Sequence, residues 1–319
     1  QKMGSQVQTG IVALMSAAEY DAGKIKKHEL TRQDKEEDRI RHVDTVNAQT
    51  GPVFIGYREQ QNINKIVDQI TANAPEYDFT ADDGISHTVW IVSNPTQIEE
   101  IKKGFQAVDA LYIADGHHRA AAGATIARNR RANDKSGGTA KEHEAIMAVF
   151  FPHTQLKVMD YNRSVKDLNG LTQEQFIEKI SAKFTVSENF KDRSPKQFHD
   201  FGMYLGGKWY KITIKPGVFN DSDPVARLDA AILQDHLLDP VLGIKDPRVD
   251  DRIKFIGGIR GIDELEKLVN EDGFAVSFSM YPTSMEQIIN VADAGAIMPP
   301  KSTWFEPKLR SGLFTHRLD

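Results

Sequence analysis

The chain has 319 residues, of which 40% are hydrophobic and 27% charged, and at roughly 100–200 residues per domain this length predicts two domains. It carries 40 Lys and Arg against 45 Asp and Glu, a net charge of -5, which argues against a protein that binds the phosphate backbone of nucleic acids. The absence of cysteine excludes disulfides, thiol nucleophiles and thiolate metal sites, and it fits a reducing cytoplasm.

The N-terminal residues and the apolar segments of the chain indicate where in the cell the protein is expected. No stretch reaches the roughly 18 consecutive apolar residues of a membrane-spanning helix, so we expect no membrane partner. The first eight residues lack the charged-then-apolar order of a signal peptide, and we expect a cytoplasmic protein. Because the sequence starts with Gln1, we expect the natural chain to carry a further segment ahead of it.

The first half, residues 1–160, is predicted to form an α/β lobe. Thr9–Ala17 and Lys24–His28 are predicted to form a hairpin around a turn at Glu19–Gly23. The hydrophobic spacing then predicts helices at Arg32–Gln49, Ile63–Ile70 and Thr96–Phe105, strands at Val53–Tyr57, His87–Val92 and Ala145–Phe151, and a loop at Asn133–Lys141.

The second half, residues 161–319, is predicted to form another α/β lobe with a tail punctuated by Pro and Gly. Strands are predicted at Phe184–Phe190, Trp209–Ile214, Lys254–Ile256 and Phe274–Met280, and helices at Thr172–Ala182, Pro195–Tyr204, Pro224–Leu238, from Asp263 onward, and at Met285–Val291. Thr172 with Gln175, and Asp263 with Glu266, have capping-box spacing. The alternation of elements favours the α/β class, with α+β as the open alternative.

The most informative segment is Asp-Gly-His-His-Arg at 115–119, between a predicted strand and a long alanine-rich helix. Gly116 lets a ligand approach the backbone, and the following helix would present unpaired N–H groups and the positive end of its dipole. Arg119 offers a bidentate phosphate donor, His117 and His118 could reach the same ligand, and Asp115 could hold Mg²⁺ or cap the helix. The segment therefore predicts a phosphate site, with an ordinary helix start carrying solvated histidines as the alternative.

A second cluster of chemically useful side chains comes earlier, at His28, Glu29, Thr31 and Arg32, with Asp38 and Arg39 further on. Glu29, at the end of a predicted strand, could act as a general base. Thr31 and Arg32 could contact a phosphate, with His28 beside them. The alternative is a charged loop followed by a solvated helix face.

Two glycine- and proline-rich segments of the second half are also candidates. Gly257–Gly261 follows a strand, but its spacing is not that of a dinucleotide-binding loop, so we interpret it as structural. In the tail, Lys301, Ser302 and Thr303 could contact a substrate or phosphate. Equally, that segment could serve only to pack aromatic side chains onto the body of the protein.

Four motifs in this order resemble the bacterial and archaeal family known as domain of unknown function 1015. The motifs are His28-Glu29-x-Thr31, Asp38-Arg39, Asp115-Gly-His-His-Arg119 and Met298-Pro-Pro-Lys-Ser-Thr-x-Phe305-x-Pro-Lys308-Leu-x-Ser-Gly312. Together they extend over nearly the whole chain.

The 115–119 turn alone also resembles the phosphate-binding turn of the ParB/sulfiredoxin-like group, and within it that of the free-serine kinases. This resemblance implies that Gly116, His117, His118 and Arg119 bind the phosphates of ATP or ADP. It places Asp115 near Mg²⁺ and the reacting hydroxyl, so that Asp115 is a catalytic and metal candidate. Glu29 becomes the candidate base.

Two functions of different class follow from these observations. The first is a nucleotide-dependent kinase that phosphorylates the hydroxyl of a small molecule, with free L-serine as the acceptor that the resemblance implies. The second is a non-catalytic regulatory protein of ParB-like type that binds a nucleotide or phosphate. In both, the expected partners are small molecules and nucleotides rather than nucleic acid, and homo-oligomerisation stays open.

Overall fold

The structure is a computed structural model that describes residues 1–133 and 141–319, so residues 134–140 of the predicted loop lie outside the described part. Two units contain the described residues: Gln1–Lys157 together with Pro307–Asp319, and Val158–Glu306. Both combine helices with sheets, which confirms the predicted mixed α/β class. Among the helices of the described ranges, none combines the length and the apolar character that crossing a membrane requires.

The helices and strands have the following bounds. The first unit contains β1 (Lys2–Met3), β2 (Gln6–Val7), β3 (Ile11–Ser16), α1 (Ala17–Asp21), β4 (Ile25–Lys26), α2 (Gln33–Val46), β5 (Ala48–Gln49), β6 (Val53–Tyr57), α3 (Gln61–Thr71), β7 (Tyr77–Thr80), β8 (Ser86–Val89), α4 (Pro95–Gln106), β9 (Leu111–Asp115), α5 (His117–Asn133) and β10 (Ala145–Pro152). The second contains β11 (Val158–Met159), β12 (Tyr161–Val165), α6 (Gln173–Ser181), β13 (Phe184–Glu188), β14 (Asp200–Leu205), β15 (Lys208–Ile214), α7 (Asp229–Leu233), β16 (Ile253–Gly257), α8 (Asp263–Asn270), β17 (Val276–Ser279), α9 (Met285–Asp293) and β18 (Trp304–Phe305). The last strand, β19 (His316–Arg317), returns to the first unit.

A five-stranded sheet in the order β3-β10-β6-β9-β4 forms the centre of the first unit. Strand β10 is parallel to β6 and antiparallel to β3, whereas β9 is antiparallel to β6 and parallel to β4. The alanine-rich helix α5 lies close against this sheet, since a Cβ added at Gly123 would stand only 2.9 Å from Cγ1 of Ile146. The small residues of α5 thus let the helix pack closely on the sheet. This packing holds the first turn of α5 at the end of β9.

The predicted hairpin of the first 28 residues is wrong. The two predicted strands exist as β3 and β4, but they lie at opposite edges of the sheet and pair with β10 and β9. The predicted turn between them is largely the short helix α1, which begins where the Oγ of Ser16 accepts a hydrogen bond from the N–H of Glu19. Pairing with distant strands therefore replaces the local pairing that the sequence pattern favours.

A six-stranded antiparallel sheet in the order β13-β15-β14-β17-β12-β16 forms the centre of the second unit. The predicted helix at 195–204 is wrong, because Asp200–Leu205 is a fully buried strand, β14, near the middle of this sheet. The capping box of Thr172 and Gln175 is confirmed at the start of α6. The one predicted for Asp263 is wrong, because that carboxylate accepts a hydrogen bond from Arg193 and makes no cap bond.

The C-terminal tail belongs to the first unit from Pro307 onward. Strand β19 pairs antiparallel with β5, and the N–H of Gly312 donates to the carbonyl of Thr50 over 2.6 Å. The division drawn from the sequence keeps these residues with the second lobe. In the structure, the hydrogen bonds of the tail instead place the end of the chain beside residues 48–50, which precede β6.

Candidate functional site

The 115–119 turn has the strand–turn–helix form that the sequence predicts. Strand β9 ends at Asp115, Gly116 has a φ of +91°, and α5 begins at His117. The N–H groups in the first turn of a helix have no acceptor within the helix and lie at the positive end of its dipole. A Cβ at Gly116 would stand 3.0 Å from the Nε of Arg119, so the glycine allows both the turn and the close packing of the guanidinium.

Arg119 and Lys308 place two cations beside the carboxylate of Asp115. The Nη1 of Arg119 donates to the carbonyl of Pro52, and its Nη2 lies 3.6 Å from the Oδ2 of Asp115. The Nζ of Lys308 lies 3.5 Å from the same oxygen. Burial lowers the pKa of Arg119, although a guanidinium stays charged at neutral pH. Two positive charges face one negative charge, so the turn suits an anion.

A small cavity of mixed polar and apolar lining adjoins the guanidinium of Arg119. It has a volume of about 60 Å³, and its wall includes Arg39, His42, Thr50, Arg119 and Ser311. It holds a few water-sized groups, on the order of the size of one phosphate. Lys308 was not among the predicted site residues, and Arg39 was predicted only as a member of the second cluster, without a role. The signal that could have identified them is their position within the quoted family motifs, Asp38-Arg39 and Pro307-Lys308.

His117 of the turn contacts a second buried histidine, His28. The rings of His28 and His117, which are 2% and 4% exposed, stack edge to face with centroids 4.6 Å apart. The Nε2 of His117 and both ring nitrogens of His28 make no hydrogen bond of good geometry with the described residues, although the His28 ring approaches the backbone of Ile113. Burial lowers the pKa of His28 to about 4 and holds the pKa of His117 well below its usual value. Both rings are therefore neutral near pH 7.

The segment after β4 is bound to the turn through Arg32 and brings Glu29 near it. The Oε2 of Glu29 lies 3.9 Å from the Nδ1 of His117, and the carboxylate side chain is half-exposed. The Nε2 of His118 accepts a hydrogen bond from the backbone N–H of Arg32 over 3.0 Å, and burial lowers the pKa of His118. A partly exposed carboxylate thus faces the same turn as the anion-binding groups.

Other predicted side chains have structural partners. The Oγ1 of Thr31 donates to Glu36 over 2.9 Å, and the guanidinium of Arg32 pairs with Asp34 over 3.0 Å, so both are engaged with the start of α2. Lys301, Ser302 and Thr303 belong to the second unit. There the carbonyl of Lys301 accepts a hydrogen bond from the buried Arg163, and the Oγ of Ser302 donates to the carbonyl of Pro299.

A larger cavity of about 430 Å³ lies elsewhere in the first unit. Its wall is mostly apolar and includes Val67 and Ile70 of α3, Trp90, and Phe314 of the tail. Pro52, whose carbonyl binds Arg119, also lines it. This cavity could not be predicted from the sequence, because its wall combines residues that are far apart in the chain.

The chain is similar to several solved structures. One is a free serine kinase mutant in complex with AMP, at 13% identity over 98% of this chain and 95% of that chain, with a TM-score of 0.47. Another is SbnI with C-terminal truncation from Staphylococcus aureus, at 11% identity over 95% and 85% of the two chains, with a TM-score of 0.49. A third is a conserved hypothetical protein from Pyrococcus furiosus, at 14% identity over 96% of each chain, with a TM-score of 0.41.

A search of curated proteins returns no match. A family model matches residues 1–231, a range that contains the His28–Thr31 motif and the whole 115–119 turn. The resemblance seen in the sequence motifs is confirmed by this match. The chain belongs to the family described as "Protein of unknown function (DUF1015)".

Proposed function

We propose that this protein binds a nucleotide through its phosphates at the 115–119 turn and transfers a phosphoryl group to the hydroxyl of a small molecule. The proposal rests on one observation: the first turn of α5, Arg119 and Lys308 converge at the end of β9, beside the half-exposed carboxylate of Glu29. Phosphoryl transfer requires mainly positioning and neutralisation of charge. The first acceptor to test is free L-serine.

The phosphates would be bound by the groups that already surround Asp115. The first-turn N–H groups of α5 and the guanidinium of Arg119 supply directed donors, and Lys308 supplies a partly exposed ammonium group. Arg39, in the wall of the adjoining small cavity, would contribute a second guanidinium. These groups neutralise negative charge that a nucleotide brings to the site.

Asp115 is the residue that would hold Mg²⁺. This ion is usually bound by one or two carboxylates, by substrate phosphates and by water. Asp115 provides one carboxylate, and its Oδ2 contacts both Arg119 and Lys308. The donor set fits the ion only when nucleotide phosphates supply further oxygens, so we expect Mg²⁺ to enter with the nucleotide. Once bound, it would neutralise phosphate charge.

Glu29 would be the general base. Its carboxylate is open to solvent on one side and adjoins neutral His117 on the other, so an acceptor hydroxyl could reach it. In the step, Glu29 takes the hydroxyl proton while the hydroxyl oxygen forms a bond to phosphorus. The bond from that phosphorus to the bridging oxygen of the nucleotide breaks, and the nucleotide leaves with the electron pair.

The decisive experiment is phosphorus NMR of the protein with Mg²⁺, ATP or ADP, and a panel of amino acids. We expect a phosphomonoester that forms only with a hydroxyl acceptor, and we expect Glu29→Ala to abolish it while calorimetry shows nearly normal nucleotide binding. Glu99→Ala, an exposed glutamate on α4 in the same unit, is the control and should retain turnover.

Two other outcomes would contradict the proposal. Nucleotide binding without acceptor-dependent consumption would identify a non-catalytic nucleotide-binding regulator. An absence of nucleotide binding would remove the 115–119 turn from any nucleotide site.

A further inference from the structure

Three side chains at the turn form a cluster with the composition of a metal site. His28, Glu29 and His117 each offer one ligand atom, and these atoms all lie within 4.8 Å of one another. We propose that the three side chains bind a borderline divalent transition-metal ion, of which Zn²⁺ and Co²⁺ are the probes. Asp115, which would share Mg²⁺ with a nucleotide, is not one of these ligands.

The unpartnered nitrogens of the two histidines are the main argument for a ligand. Buried polar atoms nearly always have a hydrogen-bonding partner, and each one left without a partner destabilises the folded chain. His28 and His117 together bury three ring nitrogens that make no hydrogen bond of good geometry with the described residues, one of the two rings having only the nearby backbone of Ile113. Because each imidazole offers one ligand atom, a bound cation would give one nitrogen of each ring a partner.

A third buried histidine of the same unit shows the usual arrangement. His87 is 2% exposed, like His28, but its Nδ1 lies 3.3 Å from the Nε2 of Gln1 and its Nε2 accepts a hydrogen bond from the Nε of Arg310. Burial alone therefore does not leave a histidine of this unit without partners. His87 has hydrogen-bonding partners, whereas His28 and His117 lack bonds of good geometry. This difference indicates that a ligand binds the pair.

The donor set determines the class of ion. Two imidazole nitrogens and one carboxylate suit Zn²⁺, Co²⁺ or Fe²⁺, whereas Mg²⁺ and Ca²⁺ prefer oxygen ligands alone. Imidazole must be neutral to bind a metal, and burial disfavours the charged form of both rings. The half-exposed Glu29 leaves a route from solvent, and three protein ligands leave a coordination position open.

Metal binding at this cluster has a consequence that rests on the proposed function. A carboxylate that is bound to a divalent cation is no longer available to accept a proton. If Glu29 is the base of phosphoryl transfer, Zn²⁺ at His28 and His117 would inhibit turnover while nucleotide phosphates could still bind at Arg119. The binding of the ion itself does not depend on the proposed function.

The test is a titration of the full chain, without an affinity tag and freed of metal by chelation, with Co²⁺ in the absence of nucleotide. We expect one equivalent of Co²⁺ to produce the visible absorption of a four- or five-coordinate ion with nitrogen ligands, and Zn²⁺ to displace it. Glu29→Gln and His117→Ala should each weaken binding about tenfold or more. His87→Ala, the matched buried histidine, should bind Co²⁺ as the wild type does.

A second measurement separates loss of the site from loss of folding. An ion that binds only the folded chain raises its melting temperature. We expect Zn²⁺ to stabilise the wild type and His87→Ala but not Glu29→Gln, in which a half-exposed side chain is replaced by one of equal size. The proposal is overturned if no visible band and no thermal shift appear, or if Co²⁺ binds Glu29→Gln and His117→Ala as tightly as the wild type. Neither result would bear on nucleotide binding.

Discussion

The Oδ2 of Asp115 lies 3.5 Å from the Nζ of Lys308, although 193 residues separate the two in the chain. The contact connects the end of β9 to the C-terminal tail. Both side chains remain partly exposed, so the pair is open to a ligand. The tail thus supplies a cation to the 115–119 turn, and an anion that enters the turn would meet that cation.

Replacement of Lys308 by alanine should weaken nucleotide binding. A hydrogen bond to a charged group contributes about 1.5–3 kcal/mol, and partial exposure reduces the expected loss to roughly 1 kcal/mol, or about fivefold in affinity. Calorimetry with ADP or ATP would measure it. Lys308→Arg keeps the positive charge and should retain most of the affinity. Equal affinities for the wild type and Lys308→Ala would place the tail outside the site.

Arg119→Ala should have a larger effect than Lys308→Ala. The Arg119 guanidinium is held over the turn by its bond to Pro52, so it is preorganised for a phosphate, and we expect a loss of about tenfold or more. The control is Arg128→Ala on the same helix, where the exposed guanidinium pairs with Asp21. If both variants bind ADP equally well, the turn does not bind the phosphates.

Gly116→Ala tests the close packing of the turn separately from its backbone conformation. Gly116 and Gly84 both have positive φ, +91° and +77°, so alanine costs about 1–2 kcal/mol of folding free energy at either position. A Cβ at Gly116 would meet the guanidinium of Arg119, whereas no described atom lies within 4 Å of a Cβ at Gly84. We therefore expect the free energy of unfolding in urea to fall by a similar amount in both variants. Nucleotide binding should weaken only in Gly116→Ala. Weakening in both variants would indicate a global effect.

The strand–turn–helix at 115–119 could be predicted from sequence because its signals are local. An apolar run precedes Asp115-Gly116, and an alanine-rich run follows, so strand, turn and helix are each specified within a few residues. The same holds for α6, whose capping box involves residues three positions apart. Such elements depend little on the rest of the chain.

The remaining features depend on residues that are distant in sequence. The edge positions of β3 and β4 follow from their pairing with β10 and β9, which no local pattern encodes. The contact between the rings of His28 and His117 arises only when β4 and β9 lie side by side. For the same reason the sequence placed His28 and His117 in two separate clusters.

The acid sensitivity of the first unit should depend on His28. Its pKa is about 4 in the folded chain because of burial, and about 6.5 in the unfolded chain. Between these values the unfolded chain binds more protons, so the free energy of unfolding decreases as the pH falls from 6.5 towards 4. The stabilisation of wild type relative to His28→Gln, measured in chelator by urea unfolding, should shrink by about 3 kcal/mol over this range. A constant difference would contradict the buried, neutral state of the ring.

Asp229, in the second unit, should show the opposite pH dependence. Its Oδ1 accepts the N–H of His199, its Oδ2 has no hydrogen-bonding partner in the described part of the chain, and burial raises its pKa to about 7. Because the unfolded value is near 3.8, the folded chain binds more protons between pH 4 and 7, and stability is lost as the pH rises through this range. Asp229→Asn stays neutral, so relative to wild type it should gain about 4 kcal/mol of unfolding free energy between pH 4 and 8. If the gain is absent, or has the sign expected for His28, the Asp229 carboxyl is ionised in the folded protein at neutral pH.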